Sequence, residues 1–237
     1  MLKQFLHRRL SPREVVVGLA AAAVLAGLIW VTWNFIAARL LESRVQAAVP
    51  KLCAQIRSQQ QTLISAIEAY KAHFGFYPPD HVLSQSPLVV DAVTNWLVYE
   101  LVGVTYDPTN HWFRLGGAET ADAKFVKDFF HCDGFTNCAD SEKMLRHFLP
   151  PPPGNSFPLA QFHDDPDVYV LAFSLPYDEI TPEVGEEISV SPWRYVCSAP
   201  IHNPGKFDLW IELQTKNQSV TVGNWKATEE AEKSSRQ

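Results

Sequence analysis

Residues 15–36 read VVVGLAAAAVLAGLIWVTWNFI. They are 22 consecutive positions without a charge, and only Gly18, Gly27, Thr32 and Asn34 among them are not hydrophobic. At a rise of about 1.5 Å per residue this stretch makes a helix ~33 Å long, enough to cross the hydrocarbon core of a bilayer. The run exceeds the roughly 7–15 apolar residues of a signal-peptide core, and no A-x-A site follows it before Arg39. It therefore reads as a retained anchor.

Charge is divided about this span. The first 14 residues carry Lys3, Arg8, Arg9 and Arg13 against Glu14, a sum of +3. With a net charge of −6 for the whole chain, residues 37–237 hold −9. A basic leader ahead of the span predicts a cytoplasmic N-terminus, a single pass and an exported C-terminal domain. An acidic, anchored domain lacks the basic footprint of a nucleic-acid-binding protein, so no nucleic-acid partner is expected. The exported part, of ~200 residues, is long enough for one domain with its own core.

Helical character continues past the span. Residues 37–61 are rich in Ala, Leu, Arg, Gln and Glu. Ile56, Leu63, Ile67, Tyr70 and Phe74 follow at steps of 7, 4, 3 and 4, one apolar stripe. Gly75, Pro78 and Pro79 supply the stop, and Pro50 predicts a kink. A second helix is expected over 87–104, with short helices over 121–130 and 140–148. The prolines of 150–153 predict an extended stretch. Strands are expected late, over 168–174, 193–199, 207–213 and 219–222. The tail 227–237 is polar and charged and is expected to be disordered.

The four cysteines are Cys53, Cys132, Cys138 and Cys197. Outside the cytoplasm disulfides are permitted, and Cys132 and Cys138 bracket the turn-rich DGFTN, so a short bridge between them is the leading expectation. A zinc site adding His131 and His147 is weaker, because C-x₅-C is unlike the tight knuckles zinc takes. Cys53 reads as a small packing residue, and a Cys53–Cys197 bridge between helix and sheet stays open. His163, Asp164, Asp165 and Asp167 are the densest set of metal-type ligands and read as a solvated loop. No G-x-S-x-G, H-E-x-x-H, P-loop or dinucleotide fingerprint occurs, so no catalytic residue, cofactor or metal ligand is assigned. The aromatic residues Trp193, Tyr195, Phe207, Trp210 and Trp225 read as core or rim packing, with a carbohydrate platform as the lesser alternative.

The order of these parts resembles the type IV pilin-like proteins, and most of all the major pseudopilins of type II secretion. Ala66-Ile67-x-x-Tyr70 leading to Gly75-Phe76-Tyr77-Pro78 is similar to the family's A-I-x-x-Y…G-x-Y-P. Ser191-Pro192-Trp193-Arg194-Tyr195 resembles a shortened D-P-W-G-x-P-Y. Pro204-Gly205-Lys206-Phe207-Asp208-Leu209-Trp210 and Val222-Gly223-Asn224-Trp225 resemble P-G-x-F-D-L-W-S and I-G-N-W. The matches cover residues 15–76 and 191–225, and residues of about 105–190 look like an insert.

The resemblance implies an α+β fold, with a long N-terminal transmembrane-plus-stem helix packed on a small antiparallel sheet. The parts are then a leader (1–14), a transmembrane helix (15–36), a stem (37–76), a globular domain (77–226) and a tail. It implies a structural subunit whose partners are sister pseudopilin subunits, the secretion machinery and the lipid bilayer. Glu14 is the implied leader and assembly residue, although Arg9 stands where the family has the glycine before its cleavage site. The family's calcium loop corresponds to residues 212–222, where Glu212 is the sole carboxylate and Lys216 lies in the middle. Calcium needs six to eight oxygens, so no such site is expected, and turn hydrogen bonds from Asn217 and Ser219 should close the loop. The alternative reading is a single-span anchored periplasmic module that binds a partner and does not polymerise.

Overall fold

The computed structural model describes residues 12–80, 96–116, 118–130, 132–151, 159–162, 165–176 and 182–225. The chain divides into two compact units between Ala47 and Ala48. That boundary falls inside α1 (Pro12–Phe74), a single helix of 63 residues. Among the described residues it is the one helix long and apolar enough to cross a membrane. The helix passes through Pro50 without a break. Pro50 and Gln46, four residues before it, are both exposed, so water can take up the carbonyl that proline leaves unbonded.

In the first unit the apolar run has no covering layer. Its large hydrophobic side chains are 52–71% exposed on every side of the helix. In the second unit α1 buries one stripe: Leu52, Ile56, Leu63, Ile67 and Tyr70. The gap between Ile56 and Leu63 is filled by Gln60, also buried, whose amide donates to the Leu209 carbonyl at 3.0 Å.

The C-terminal sheet supplies the other side of that core. It contains β7 (Ile188–Val190), β8 (Arg194–Val196), β9 (Asp208–Thr215) and β10 (Ser219–Gly223), all antiparallel about β9. Leu209, Ile211 and Leu213 alternate inward and are fully buried, while Trp210, Glu212 and Gln214 face out. β7 and β8 share one edge of β9, and Pro192 lies between them. Proline cannot donate to a ladder. Ser191 bridges the interruption instead: its N–H donates to the Glu212 carbonyl at 2.8 Å, and its hydroxyl accepts from Glu212 N–H at 2.9 Å.

The stretch read as an insert carries a sheet of its own. α2 (Leu97–Val102) ends at Gly103, whose φ of 83° turns the chain into β1 (Val104–Asp107). β2 (Trp112–Leu115) and β3 (Ala118–Asp122) follow, then α3 (Ala123–Phe130) and β4 (Cys138–Ala139), in the strand order β3-β2-β1-β4. Its core is aromatic: Phe135 stacks on Tyr99 at 4.9 Å and meets Phe113 edge-on at 5.2 Å. A hairpin of β5 (Leu159–Phe162) and β6 (Asp165–Leu171), then α4 (Pro182–Glu186), complete the described elements.

Of the helix expected over 87–104, residues 96–104 are described; they are helical over Leu97–Val102 and stop at Gly103, the expected end. Other expectations need correction. The 121–130 helix begins at Ala123, where Asp122 accepts the Phe125 N–H and caps it. The helix expected over 140–148 is only a 3₁₀ turn at Glu142–Met144. Phe148 and Leu149 are drawn off to the Leu101 carbonyl, at 2.8 and 3.0 Å, so the segment gives up helix bonds for tertiary ones. The strand at 193–199 is limited to Arg194–Val196. Residues 152–153 of the extended stretch expected over 150–153, and the whole tail 227–237 expected to be disordered, lie outside the described residues.

Candidate functional site

The apolar part of α1 presents nothing polar from its own side chains. Thr32 Oγ1 lies 2.9 Å from the Leu28 and Ile29 carbonyls, and Asn34 Nδ2 donates to the Trp30 carbonyl at 2.7 Å. Both side chains thus turn a donor back onto their own helix within one turn, which lowers the cost of a lipid or helix contact. The exposed tryptophans Trp30 and Trp33 come near the end of the run. Arg39 follows, 5.5 Å from the Phe35 ring centroid and 3.3 Å from Glu42. The order of apolar helix, aromatics and then first charges is that of a membrane interface. The Glu14 side chain lies outside the described residues.

The segment after α1 ties to the C-terminal sheet. Gly75 adopts φ 86° and its N–H closes on the Lys71 carbonyl at 2.8 Å, ending the helix. Tyr195 OH then donates to the Pro78 carbonyl at 2.9 Å. Asp80 accepts from Cys197 N–H and Ser198 N–H at 2.7 and 2.9 Å, and from the Ser198 hydroxyl at 3.0 Å. Burial and the Asp80 carboxylate push the Cys197 thiol up to about 12.

A second knot forms around buried Asp208. Its carboxylate accepts the backbone N–H groups of Ile201, His202 and Asn203 at 2.7–2.9 Å, and the Asn203 amide at 2.9 Å. Asn224 completes it by accepting from Leu209 N–H and donating to the Phe207 carbonyl. Asp208 begins β9, so its carboxylate ties residues 201–203 of the link between β8 and β9 to the sheet. In the loop at 212–222, Glu212 pairs with Arg194 at 3.2 Å. The β9–β10 turn closes through Thr215 and Gln218, whose carbonyl accepts Thr215 N–H at 2.8 Å.

The third knot centres on Glu100, 1% exposed. Tyr70 OH donates to it at 2.8 Å, and the N–H groups of Thr136 and Asn137 at 2.8 and 3.0 Å. The Asn137 side chain joins the Glu100 and Arg146 carbonyls. Cys132 and Cys138, between which a bridge is expected, stand as free thiols in this structure, as do Cys53 and Cys197. The loop between them is held by a carboxylate that collects its amides. Burial raises both thiols, Cys138 to about 11.

Among the described residues no cluster of three or more His, Cys, Asp and Glu could hold a metal ion. His131, His163 and Asp164 lie outside them, and His147 bonds the Val102 carbonyl at 2.6 Å. Of the aromatics, Trp193, Tyr195 and Phe207 are core. Trp210 and Trp225 form a partly exposed rim at 6.0 Å, with His202 stacked on Trp225 at 3.9 Å.

The residues that sequence reasoning missed are Gln60, Asp80, Glu100, Asn137, Asn203 and Asn224. Asp208 and Asn224 did carry a signal, as polar residues inside otherwise apolar or aromatic strings. Comparison with protein-family models, with curated proteins and with solved structures finds no match.

Proposed function

We propose that the chain is a pilin-like structural subunit, anchored in a membrane and associating with sister subunits through α1. Its work is assembly, not chemistry. The observation that carries this reading is convergence of the separated motif pieces. Pro78 and Asp80 of the segment after the helix meet Tyr195, Cys197 and Ser198, while Gln60 meets Leu209. Of the motif pieces themselves, the first meets the second at Pro78 and Tyr195, Tyr77 of the first lies 5.1 Å, ring to ring, from Phe207 of the third, and Asn224 of the fourth accepts Leu209 N–H of the third. The apolar part of α1 supports the same reading. A helix hydrophobic all round is stable only against lipid or other helices. The orientation follows from the basic leader, with the acidic part on the periplasmic side of the inner membrane.

The test places single cysteines along residues 24–35 of the full chain in its native membrane with its secretion machinery. Crosslinked ladders periodic along one helix face are expected, and a chain that stays monomeric at every position overturns the reading. The second reading, an anchored module that does not polymerise, is favoured by Arg9 in place of the leader glycine. It is also favoured by a groove of about 400 Å³ lined by Gln55, Ser58, Gln59, Thr62 and Phe173. N-terminal sequencing of the mature protein separates the two: a cut after Arg9 supports the subunit and an intact Met1 the module.

A further inference from the structure

Two extended segments of the second unit touch at one point and then part. Trp193 N–H donates to the Leu171 carbonyl at 2.9 Å, where β6 ends. Beyond that contact Phe173, Ser174 and Leu175 stand across from Val190 of β7, around a space of about 390 Å³. Phe173 and Ser174 also line the groove of about 400 Å³ over α1, so the two spaces adjoin, and Gln55, Ser58, Gln59 and Thr62 form the floor. Gln59 accepts from Trp193 Nε1 at 2.9 Å and so fixes the closed end of this wedge to the helix.

The ladder between β7 and β9 sets which way the main chain of β7 points. Ser191 N–H donates to the Glu212 carbonyl at 2.8 Å, and the register pairs Val190 with Leu213 and Ile188 with Thr215. Main-chain groups alternate along an antiparallel pair, so the N–H and C=O groups of Val190 and Ile188 turn away from β9. Among the described residues no strand pairs with that edge of β7. Val190 therefore lines the wedge and also carries the unladdered main-chain groups of the sheet beside it. Such an edge is a template for another strand.

We propose that this wedge takes an uncharged, extended peptide segment of a partner protein, added as a strand to β7. Main-chain donors and acceptors at strand spacing match those of another main chain, and side-chain contacts on the walls then select the sequence. The floor repeats its chemistry one helical turn on, as Gln55 with Gln59 and Ser58 with Thr62, so it offers amides and hydroxyls along the length of a strand. Among the described residues the lining is amide, hydroxyl and hydrocarbon without a charged side chain. A charged residue entering there would lose water and gain no counter-charge, which restricts the segment to uncharged residues. The inference rests on the second reading only in giving the groove a partner. Crosslinked ladders along residues 24–35 would sink that reading and leave the wedge standing, because assembly through the apolar run uses none of these residues.

The experiment selects a phage-displayed library of random nine-residue peptides on the full chain in lipid nanodiscs. Ser58→Arg chain serves as the counter-selection; Ser58 is exposed, so the longer charged side chain fills the groove without entering the core. Selected peptides are expected to be poor in charged residues. The tightest is then synthesised with a single N-methyl group at each position in turn. Methylation at alternate positions should weaken binding about five- to tenfold, the worth of one hydrogen bond, and the positions between should be tolerated. Val190→Pro removes one N–H directed away from β9 and spares the ladder, so it should weaken the unmodified peptide by a similar factor. If Val190→Pro does not fold, amide exchange in the unsubstituted chain serves, and bound peptide must slow exchange at Val190 about tenfold. A library that yields no peptide blocked by Ser58→Arg overturns the proposal. So do N-methyl groups tolerated at every position, binding undiminished in folded Val190→Pro, and Val190 exchange unmoved by the peptide.

Discussion

α1 contains two helices' worth of physics in one unbroken element. In residues 16–36 the apolar side chains point in all directions and are exposed, and the two polar side chains fold back onto the helix's own carbonyls. In residues 52–70 the apolar side chains form one stripe, and the polar Gln60 on that stripe reaches a strand 149 residues away. The first pattern needs an apolar solvent, and the second needs a protein core. Both stretches are helical and of similar length, so distribution of hydrophobicity around the axis decides what each part packs against.

This contrast can be broken by substitution, and the strongest blow should come from the long-range polar bonds. Asp208→Ala removes the buried acceptor of three partly buried backbone N–H bonds and should cost about 4–5 kcal/mol of unfolding free energy, read by denaturant titration of the second unit. Next comes Ile67→Ala, a cavity in the buried stripe, with an expected loss of about 3–4 kcal/mol. The similar truncation Leu28→Ala, at a residue 58% exposed, should leave the same unfolding curve in place. An equal loss at both positions would erase the distinction between the halves. Leu28→Arg reverses the roles. It should cost about 3 kcal/mol of membrane insertion, measured by glycosylation mapping or alkaline extraction, without changing unfolding of the second unit. Gln60→Leu should cost about 1–2 kcal/mol, because it frees the Leu209 carbonyl. The smallest effect belongs to Thr32→Val, whose hydroxyl bonds only its own helix; insertion and unfolding should move by less than about 0.5 kcal/mol.

How much could be read in advance varied with the range of the interaction. The stripe Ile56, Leu63, Ile67, Tyr70 was legible because a helix writes its buried face at fixed steps. Strands β9 and β10 were legible from alternation and from the turn residues before them. The sheet β1–β4 was not. Its strands are two to five residues long, and β1 is half-buried along most of its length, so neither alternation nor length marks them. The same limit applies to the knots. Glu100 lies in LVYELV, where a lone carboxylate looks like a solvent-facing position, and only the approach of Tyr70 and the 136–137 amides makes it interior. Likewise, nothing in the spacing of the loop 132–138 along the chain says that its N–H donors at Thr136 and Asn137 find Glu100.

By itself the sequence determined that this chain carries a membrane-length apolar helix, that the helix continues into a stem with one buried face, and that a β-sheet closes the C-terminal end. Those properties follow from local periodicity and composition, which are present in any segment before it meets another. Only the tertiary structure decided that Asp80, Glu100 and Asp208 are the points where distant segments are tied. A buried carboxylate is tolerated only where several donors arrive together, and donors separated by tens of residues are brought to one point by folding alone.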